Sequence, residues 1–437
     1  MAFQPSTGPG RSIAVLVELA GGPPAGGQVK CWERFAEAAA SIAPGALGID
    51  LTLYLLGSRE SVVALSPAVR IVSLRPVLGT GRFTGRLGGV DATDLTPYHP
   101  RLAELLPRHD VWHLTHMFGF AATALRLARR HPPGRLVASL HTNVPVLATT
   151  YVAQLLRSAW PLRLLSAGGP RVDPALIAGR LLRRRRDRFL RACDAVLVAT
   201  PQEQAEIRQI VGAERVGLLG RGIDARRFAP RPGPEQPQPP VRPFTVLFVG
   251  RVDASKRVLV VGEAVRLLRA GGRPVRLLVA GDGADLKALS RLLGDAVTPL
   301  GSVPQHSMAD VYADGDVLAF PSHSETAGNV VAEAMACGRP VLLPAGARTT
   351  AWLARPGLDG ALVRDDTPRG WAFELARLMD EPARRRSIGE QAAHTSRTRH
   401  RSWPAVLVED LLPAWGVGSA GRRPTGRPGA ELPARHR

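Results

Sequence analysis

Residues 322–340 read SHSETAGNVVAEAMACGRP and place two carboxylates, Glu325 and Glu333, eight positions apart. The first residues are polar and predict a loop after the apolar run before them. The residues after Asn329 are helix formers. We expect Asn329 to cap this helix at its amino end and Gly338 to end it. The stretch therefore predicts a loop-to-helix corner with one carboxylate in the loop and the other inside the helix.

The start of this predicted helix is suited to binding an anion. The backbone N–H groups of Gly328, Asn329 and Val330 would lack acceptors within the helix, and the helix dipole favours negative charge there. Carboxylates accept hydrogen bonds from hydroxyl groups, so Glu325 and Glu333 would offer acceptors to a sugar on either side of a phosphate. A nucleotide sugar, which is part phosphate and part sugar, is therefore the candidate ligand.

The stretch resembles the E-x7-E signature of retaining glycosyltransferases of family 4, which have the GT-B fold. The resemblance implies that Glu325 contacts the hydroxyls of the donor sugar and that Glu333 contacts those of the ribose. Ala327 stands where the family often has an aromatic residue, a difference that bears on local packing rather than on the phosphate contacts. From the residues alone, an acidic loop leading into a surface helix is the alternative.

A second candidate anion site follows the apolar run 245–249. Gly250 permits a sharp turn, and Arg251 and Lys256 can reach one anion from a single loop. This pattern resembles the family's Gly-Arg-x4-Lys clamp, with Ser255 where Glu is usual. The resemblance implies that Arg251 and Lys256 bind the donor diphosphate and neutralise charge on the leaving nucleotide. Two solvent-facing bases after a strand are the alternative.

The first half of the chain offers further candidates after predicted strands. Gly26 and Gly27 end a glycine-rich stretch that resembles the family's N-terminal glycine loop, where bare backbone approaches the donor closely. His141, in the stretch HTNVP, resembles the corresponding residue of members that glycosylate lipids, which implies a hydrogen bond to a sugar hydroxyl in the cleft. Without that resemblance, a lone histidine is more often structural. We expect His113 to pack in the core, and His116 is the weaker site candidate.

Apolar runs alternate with helical stretches through both halves of the chain, which predicts an α/β fold of doubly wound parallel sheets. The resemblance implies the GT-B arrangement, in which two Rossmann-like domains face a cleft. The predicted strands of the first half are 12–19, 50–56, 111–114, 136–140, 195–199 and 216–219, with a helix over 29–42. The predicted strands of the second half are 245–249, 275–280, 297–300, 316–320, 340–343 and 361–363.

The proline-rich stretch PRPGPEQPQPPVRP separates the two halves and cannot sustain a helix or a sheet. We expect five segments: an acceptor domain over 1–229, this linker over 230–243, a nucleotide-sugar donor domain over 244–400, a helix over 401–415 and a basic disordered tail over 416–437. By resemblance, the helix over 401–415 crosses back to the first domain.

Half of the net charge of +20 lies in two short segments. Residues 180–191 hold seven Arg against one Asp, and residues 416–437 hold five Arg against one Glu. Neither segment carries the interleaved aromatic residues that stack nucleobases, which argues against nucleic acid. An anionic membrane surface and a merely solvated basic face both stay open as explanations.

The three cysteines are odd in number and far apart, which argues against a disulfide framework or a metal cluster and favours a reducing cytoplasm. No apolar run has the length of a membrane span. We therefore expect a cytoplasmic protein, with peripheral attachment to the inner membrane face as the variant in which the basic segment binds lipid. We expect no metal site and no cofactor, and a nucleoside diphosphate sugar as substrate.

Together these patterns predict a retaining glycosyltransferase that moves a hexose of mannose or glucose type from a nucleoside diphosphate sugar to an acceptor hydroxyl. A lipid or a cell-envelope glycan is the expected acceptor. A sugar-nucleotide epimerase or a phosphorylase of the same GT-B architecture is one alternative. A basic scaffold that binds nucleic acid is an alternative of another class.

Overall fold

The structure is a computed structural model that describes residues 10–21, 26–43, 45–79, 93–140, 174–231, 242–325 and 328–418. The predictions for His141, for Ala327, for most of the proline-rich linker and for the tail beyond Gly418 fall outside the described residues. Among the helices that the structure describes, none combines the length and the apolar character needed to cross a bilayer.

An eight-stranded sheet organises the first half, in the order β3-β4-β2-β1-β5-β6-β7-β8. Every described neighbouring pair is parallel except β3 with β4, which form an antiparallel hairpin at one edge. The strands are β1 Arg11–Ala20, β2 Ile49–Leu56, β3 Ser61–Ser66, β4 Val69–Leu74, β5 Val111–Leu114, β6 Arg135–Ser139, β7 Ala195–Val198 and β8 Val216–Leu218. The helices are α1 Gly27–Ser41, α2 Pro100–Leu105, α3 Gly119–Leu127, α4 Pro174–Arg191 and α5 Pro201–Val211.

A six-stranded parallel sheet organises the second half, in the order β11-β10-β9-β12-β13-β14. The strands are β9 Phe244–Val249, β10 Val275–Ala280, β11 Val297–Gly301, β12 Val317–Ala319, β13 Val341–Pro344 and β14 Ala361–Val363. The helices are α6 Val258–Ala270, α7 Leu286–Leu293, α8 Met308–Asp314, α9 Asn329–Ala336, α10 Pro368–Asp380 and α11 Pro382–Arg399. Two parallel sheets with helical crossovers confirm the predicted fold class.

The strand predictions agree closely with these elements. Every predicted strand is present, with ends that differ by one residue at most. The helix predicted over 29–42 begins earlier, at Gly27. The hairpin of β3 and β4 was not predicted. The residues of β3 are mostly exposed at the sheet edge, so they carry no strong inward-facing pattern.

The last described segment packs on the first domain's core as three short pieces, Trp403–Val406, Leu407–Leu411 and Leu412–Ala414, of which the middle one is π-helical. Trp415 closes this segment, and its Nε1 donates a hydrogen bond to Nδ1 of the buried His113 at 2.8 Å. His113 therefore packs in the core, as the sequence predicted.

The returning segment also touches the chain just before the linker. The N–H of Ile223 donates to the carbonyl oxygen of Arg401 at 3.0 Å, and Ile223 forms a parallel bridge with Ser402. At the preceding residue, Gly222, a Cβ would lie 2.4 Å from the backbone nitrogen of Trp403, so no side chain fits there. The two stretches of chain that pass between the domains therefore run side by side.

Candidate functional site

Two loops at the carboxyl ends of β9 and β12 form one wall in the second domain. Lys256, in the first loop, donates from Nζ to Oε2 of Glu325 in the second. The hydroxyls of Ser322 and Ser324 both donate to the carbonyl oxygen of Ser255, at 3.3 and 3.0 Å. Because the carboxyl ends of parallel strands lie at one edge of the sheet, two motifs about seventy residues apart in the sequence share this wall.

Arg251 lies beside this wall. Its Nε is 3.3 Å from Oδ2 of Asp253, a buried carboxylate that also accepts a hydrogen bond from the N–H of Ser255 at 3.0 Å. The Arg251 charge is near enough to act on Glu325. The structure therefore brings together Arg251, Lys256 and Glu325, the three described residues predicted to act in catalysis.

Competing effects set the pKa of Glu325. Burial alone would raise it. The charge and hydrogen bond of Lys256, the N–H of Gly328 and the charge of Arg251 act in the opposite direction, and their sum lowers the pKa below its ordinary value. Glu325 is therefore a carboxylate at neutral pH, able to accept hydrogen bonds from hydroxyl groups.

Helix α9 begins beside Glu325, with a different cap from the predicted one. Gly328, not Asn329, is the N-cap residue, and Asn329 is the first residue of the helix. Gly328 adopts the left-handed conformation at φ +63°, and a Cβ there would lie 2.6 Å from Cγ2 of Thr349. Glycine at this turn replaces the side-chain cap because only glycine satisfies both the conformation and the close contact. The N–H groups of Asn329 and Val330 still lie in the first turn, where a helix provides no internal acceptor.

The far end of α9 agrees with the sequence prediction. Gly338 has φ +68° and follows the last helical turn. Its N–H donates to the carbonyl of Met335 at 2.9 Å, and the N–H of Arg339 donates to that of Ala334 at 2.9 Å. Gly338 therefore ends the helix, as predicted.

Gly250 forms the turn after β9 and also packs against the end of β10. Its φ is +142°, and its N–H donates to the carbonyl of Ala280 on the neighbouring strand at 3.0 Å. At Gly281, a Cβ would lie 1.9 Å from the carbonyl oxygen of Gly250. The loop that carries Arg251 is thus held tightly against the end of β10.

Glu333 faces an opening between the two domains. Its Oε1 accepts from Nε2 of Gln305 at 3.1 Å, and its Oε2 accepts from the hydroxyl of Tyr312 at 2.7 Å. Burial raises its pKa, against these two hydrogen bonds and the charges of Arg34 and Arg227. The opening is lined by Glu333 together with Lys30, Arg34, Arg227, Phe228, Gln305 and Asn329.

Asn329 also lines this opening, while its Oδ1 is buried, and no hydrogen-bond donor reaches that oxygen from the part of the chain that the structure describes. A buried acceptor without a donor costs free energy. The Glu333 carboxylate and the charges of Lys30, Arg34 and Arg227 make the lining of the opening polar.

The glycines of the first domain lie at the start of α1. Gly26 is the N-cap residue, its carbonyl accepts from the N–H of Lys30 at 3.2 Å, and Gly27 is the first helical residue. A Cβ at Gly27 would meet no atom of the described chain within 4 Å, so its backbone borders open space. Lys30, one turn on, lines the same opening as Glu333.

The first domain also contributes a direct contact across the two domains. Nη1 of Arg348, in the 3-10 turn after β13, lies 2.7 Å from Oε1 of Glu203 on α5. The residue after Arg348 is Thr349, whose side chain contacts the Gly328 turn. The contact therefore joins the first domain to the turn at the start of α9.

Glu18 and His116 lie near the carboxyl ends of β1 and β5, two neighbouring strands in the interior of the first sheet. Glu18, near the end of β1, is completely buried with φ +59°, and burial raises its pKa to about 8, against the N–H groups that begin α3 and with a smaller contribution from Asp94. His116 is half-buried, and desolvation lowers its pKa to about 4. His116 is therefore a neutral imidazole at physiological pH.

Sequence reasoning did not identify the residues that surround Glu333. Lys30, Arg34, Arg227 and Tyr312 belong to no local motif, and each comes near Glu333 only through the tertiary packing of the chain. A second cluster was also missed: Asp366 accepts hydrogen bonds from Arg257, from His323 at 2.7 Å and from Trp371 at 2.8 Å.

The basic segment forms the second half of α4. Arg186 is paired with Asp187 and Glu206, both at 3.0 Å. The other arginines of the segment are exposed: Arg180, Arg183, Arg184, Arg185, Arg188 and Arg191.

Known proteins resemble this chain over both domains. Residues 243–381 match the family described as glycosyl transferases group 1. D-inositol 3-phosphate glycosyltransferase 2 of Catenulispora acidiphila is 34% identical over 389 residues, which cover 80% of this chain and 82% of that protein. The D-inositol 3-phosphate glycosyltransferase of Kineococcus radiotolerans is 34% identical over 262 residues, which cover 54% of this chain and 59% of that protein.

A solved structure gives the comparison of folds. The structure of Anabaena Alr3699/HepE in complex with UDP-glucose has a TM-score of 0.64 and 15% identity, and the match covers 92% of this chain and 99% of that chain. The likeness confirms the GT-B arrangement of two Rossmann-like domains.

Proposed function

This chain belongs to the glycosyl transferases of group 1, and from that premise we propose that it is a retaining hexosyltransferase with a nucleoside diphosphate sugar as donor. One observation carries the proposal: Arg251, Lys256 and Glu325 share a wall beside the first turn of α9. Two cations and a helix start suit a diphosphate, and the carboxylate suits a sugar hydroxyl.

In the proposed complex the diphosphate lies between Arg251, Lys256 and the N–H groups of Asn329 and Val330. Glu325 accepts hydrogen bonds from the hydroxyls of the donor sugar. Lys256 then leaves part of its ion pair with Glu325 to contact phosphate, so the donor replaces an interaction that exists without it. This exchange limits the cost of desolvating the lysine, which is already largely buried.

The proposed reaction is an attack from the face that the leaving group occupies. The bond between the anomeric carbon and the diphosphate oxygen breaks, the acceptor oxygen forms its bond on the same face, and the departing phosphate takes the acceptor's proton. Arg251 and Lys256 stabilise the charge that develops on the phosphate. The predicted hydrogen bond from His141 would orient the reacting sugar.

Closure of the two domains would limit hydrolysis of the donor. Glu333 of the second domain and Lys30 of the first line the same opening, and Arg348 already contacts Glu203 across the domains. A closed cleft excludes water, so the acceptor hydroxyl becomes the available nucleophile. No metal and no cofactor enter this proposal, since two cations and a helix start supply the positive charge.

The acceptor is proposed at the level of its class. Relatives named D-inositol 3-phosphate glycosyltransferases favour a phosphorylated cyclitol, whereas the resemblance of HTNVP and the exposed arginines of α4 favour a lipid or cell-envelope glycan at an anionic membrane. Both classes offer a hydroxyl next to negative charge. The proposed donor carries a sugar of mannose or glucose type. The proposed reaction takes place in the cytoplasm and, for a lipid acceptor, at the inner membrane face.

A donor and acceptor panel tests the proposal. UDP, GDP and ADP sugars are incubated with D-inositol 3-phosphate or with a polyprenyl or diacylglycerol acceptor, and released nucleotide and product are measured. We expect one donor to react faster with an acceptor than with water, and NMR of the product to show the anomeric configuration of the donor. An inverted product would refute retention.

Two control incubations separate the alternatives. Epimerisation of the donor alone would indicate an epimerase, and phosphorolysis of a glycoside would indicate a phosphorylase. Retardation of nucleic acid at physiological salt, with no turnover of any sugar nucleotide, would favour the scaffold.

A further inference from the structure

Tyr312 lies directly behind Glu333. Its side chain is completely buried, and its hydroxyl donates to Oε2 of Glu333 at 2.7 Å. Burial is the main reason that its pKa is raised well above the ordinary value, so the hydroxyl keeps its proton and remains a donor. Tyr312 therefore cannot touch a ligand in the opening, but it can fix the carboxylate that does.

The two hydrogen bonds to Glu333 leave acceptor capacity on both of its oxygens. Gln305 donates to Oε1 and Tyr312 donates to Oε2, and each carboxylate oxygen can accept a further hydrogen bond. Glu333 is only partly buried and lines the opening. A carboxylate fixed by one hydrogen bond at each oxygen presents its remaining acceptor positions side by side, which suits the two adjacent hydroxyls of a ribose.

The ring of Tyr312 is itself held in place. It packs edge-on against Phe228, with ring centroids 5.9 Å apart at an angle of 76°. Phe228 belongs to the turn after Asp224, where its N–H donates to the Asp224 carbonyl at 2.9 Å. The ring can thus keep its position when the hydroxyl is removed, because its apolar contacts do not depend on the hydrogen bond.

We propose that Tyr312 is a positioning residue that sets the orientation of Glu333 and thereby the preference of the donor site for ribonucleotides over 2′-deoxyribonucleotides. This inference rests on the proposed function, since it requires a nucleoside diphosphate in the site. Without the hydroxyl of Tyr312, Glu333 keeps one of its two hydrogen bonds and can rotate, so its two acceptors no longer match the pair of ribose hydroxyls.

The test compares Tyr312→Phe with the unchanged protein by calorimetric titration of UDP, GDP and ADP and their 2′-deoxy forms. The unchanged protein should prefer the ribonucleotide of its own base. In the variant we expect this preference to fall by about tenfold, the lower range for loss of a hydrogen bond to a charged group. Tyr54→Phe is the matched control, because Tyr54 is also buried and its hydroxyl bonds His109 in the first domain, which is not a residue of the proposed nucleotide site.

A second variant tests whether the effect acts through Glu333. In a Glu333→Gln background, Tyr312→Phe should leave the remaining preference unchanged, since the group that it orients is already altered. An unchanged preference in Tyr312→Phe alone would overturn the proposal, and so would an equal loss of affinity for both forms of the nucleotide. If the unchanged protein binds no nucleoside diphosphate, the proposed function fails and the role of Tyr312 fails with it. Binding without preference for the ribo form would refute the role of Tyr312 alone.

Discussion

Replacement of Lys256 by methionine tests the proposed diphosphate site most directly. Lys256 is 14% exposed and Glu325 is 25% exposed, so both groups of this ion pair lie in a sheltered wall. Methionine keeps most of the apolar stem and removes the ammonium group, whose Nζ lies 6.0 Å from the centroid of the Phe320 ring. The expected change is therefore electrostatic rather than steric.

The expected loss is large in turnover and smaller in stability. Loss of one group that stabilises developing charge lowers kcat by about a hundred- to a thousandfold, or about 3 to 4 kcal/mol in activation free energy. The same change breaks a sheltered ion pair, which costs about 1 to 3 kcal/mol of folding free energy. Glu325 keeps the N–H of Gly328 and the charge of Arg251, which limits that cost.

Steady-state kinetics at saturating donor and a thermal melt separate these two effects. Lys287→Met is the matched control, because Lys287 is exposed on α7 and is not among the residues proposed to bind the diphosphate. We expect the control to keep normal turnover. A Lys256→Met enzyme with kcat within threefold of the unchanged protein would refute the assignment of Lys256 to the leaving phosphate.

Further predictions concern other parts of the chain. Gly328→Ala should lower donor affinity at least about tenfold, because its methyl group meets Thr349 and its left-handed backbone costs about 1 kcal/mol; unchanged donor titration would contradict this. Glu333→Ala should raise the Kd for donor with less effect on kcat, which a normal Kd would exclude. For Glu18, folding protonates a carboxyl whose pKa rises from 4.5 to about 8, so stability falls as pH rises through that interval. Glu18→Gln should remove that dependence and add up to about 5 kcal/mol at pH 9 in denaturant titrations, and parallel pH curves would contradict it. Replacing the exposed arginines of residues 180–191 by glutamine should abolish salt-sensitive binding to anionic liposomes, if the unchanged protein shows it; absent or salt-insensitive binding would reject the membrane role.

The strands could be predicted because apolar runs bounded by glycine, proline or polar residues leave little choice of ends. The hairpin at the sheet edge was missed because β3 is largely exposed and lacks an inward-facing pattern. The cap of α9 was misassigned by one residue. Cap preferences favour asparagine, but the contact of Gly328 with Thr349, twenty-one residues later, decides the turn.

Some residues of the candidate site could likewise be predicted from the sequence, and others could not. Arg251, Lys256 and Glu325 lie in loops whose local patterns resemble those of a known family, so the amino-acid sequence could indicate them as candidates. Tyr312 lies on a short helix in no recognised motif, and only the packing of α8 beside α9 brings its hydroxyl to Glu333. Residues that act through another residue have no local signature, and their roles depend on three-dimensional contacts.

The adjacent crossings at Ile223 and Arg401 restrict how the two domains can move. A single connection would let one domain rotate in any direction relative to the other, whereas two neighbouring connections joined by a hydrogen bond define an axis. Rotation about that axis would open and close the cleft. A twist of one domain against the other would instead strain the backbone of both connections. Donor entry and product exit should therefore follow one path of motion, and cutting the chain near residue 401 should free the other motions.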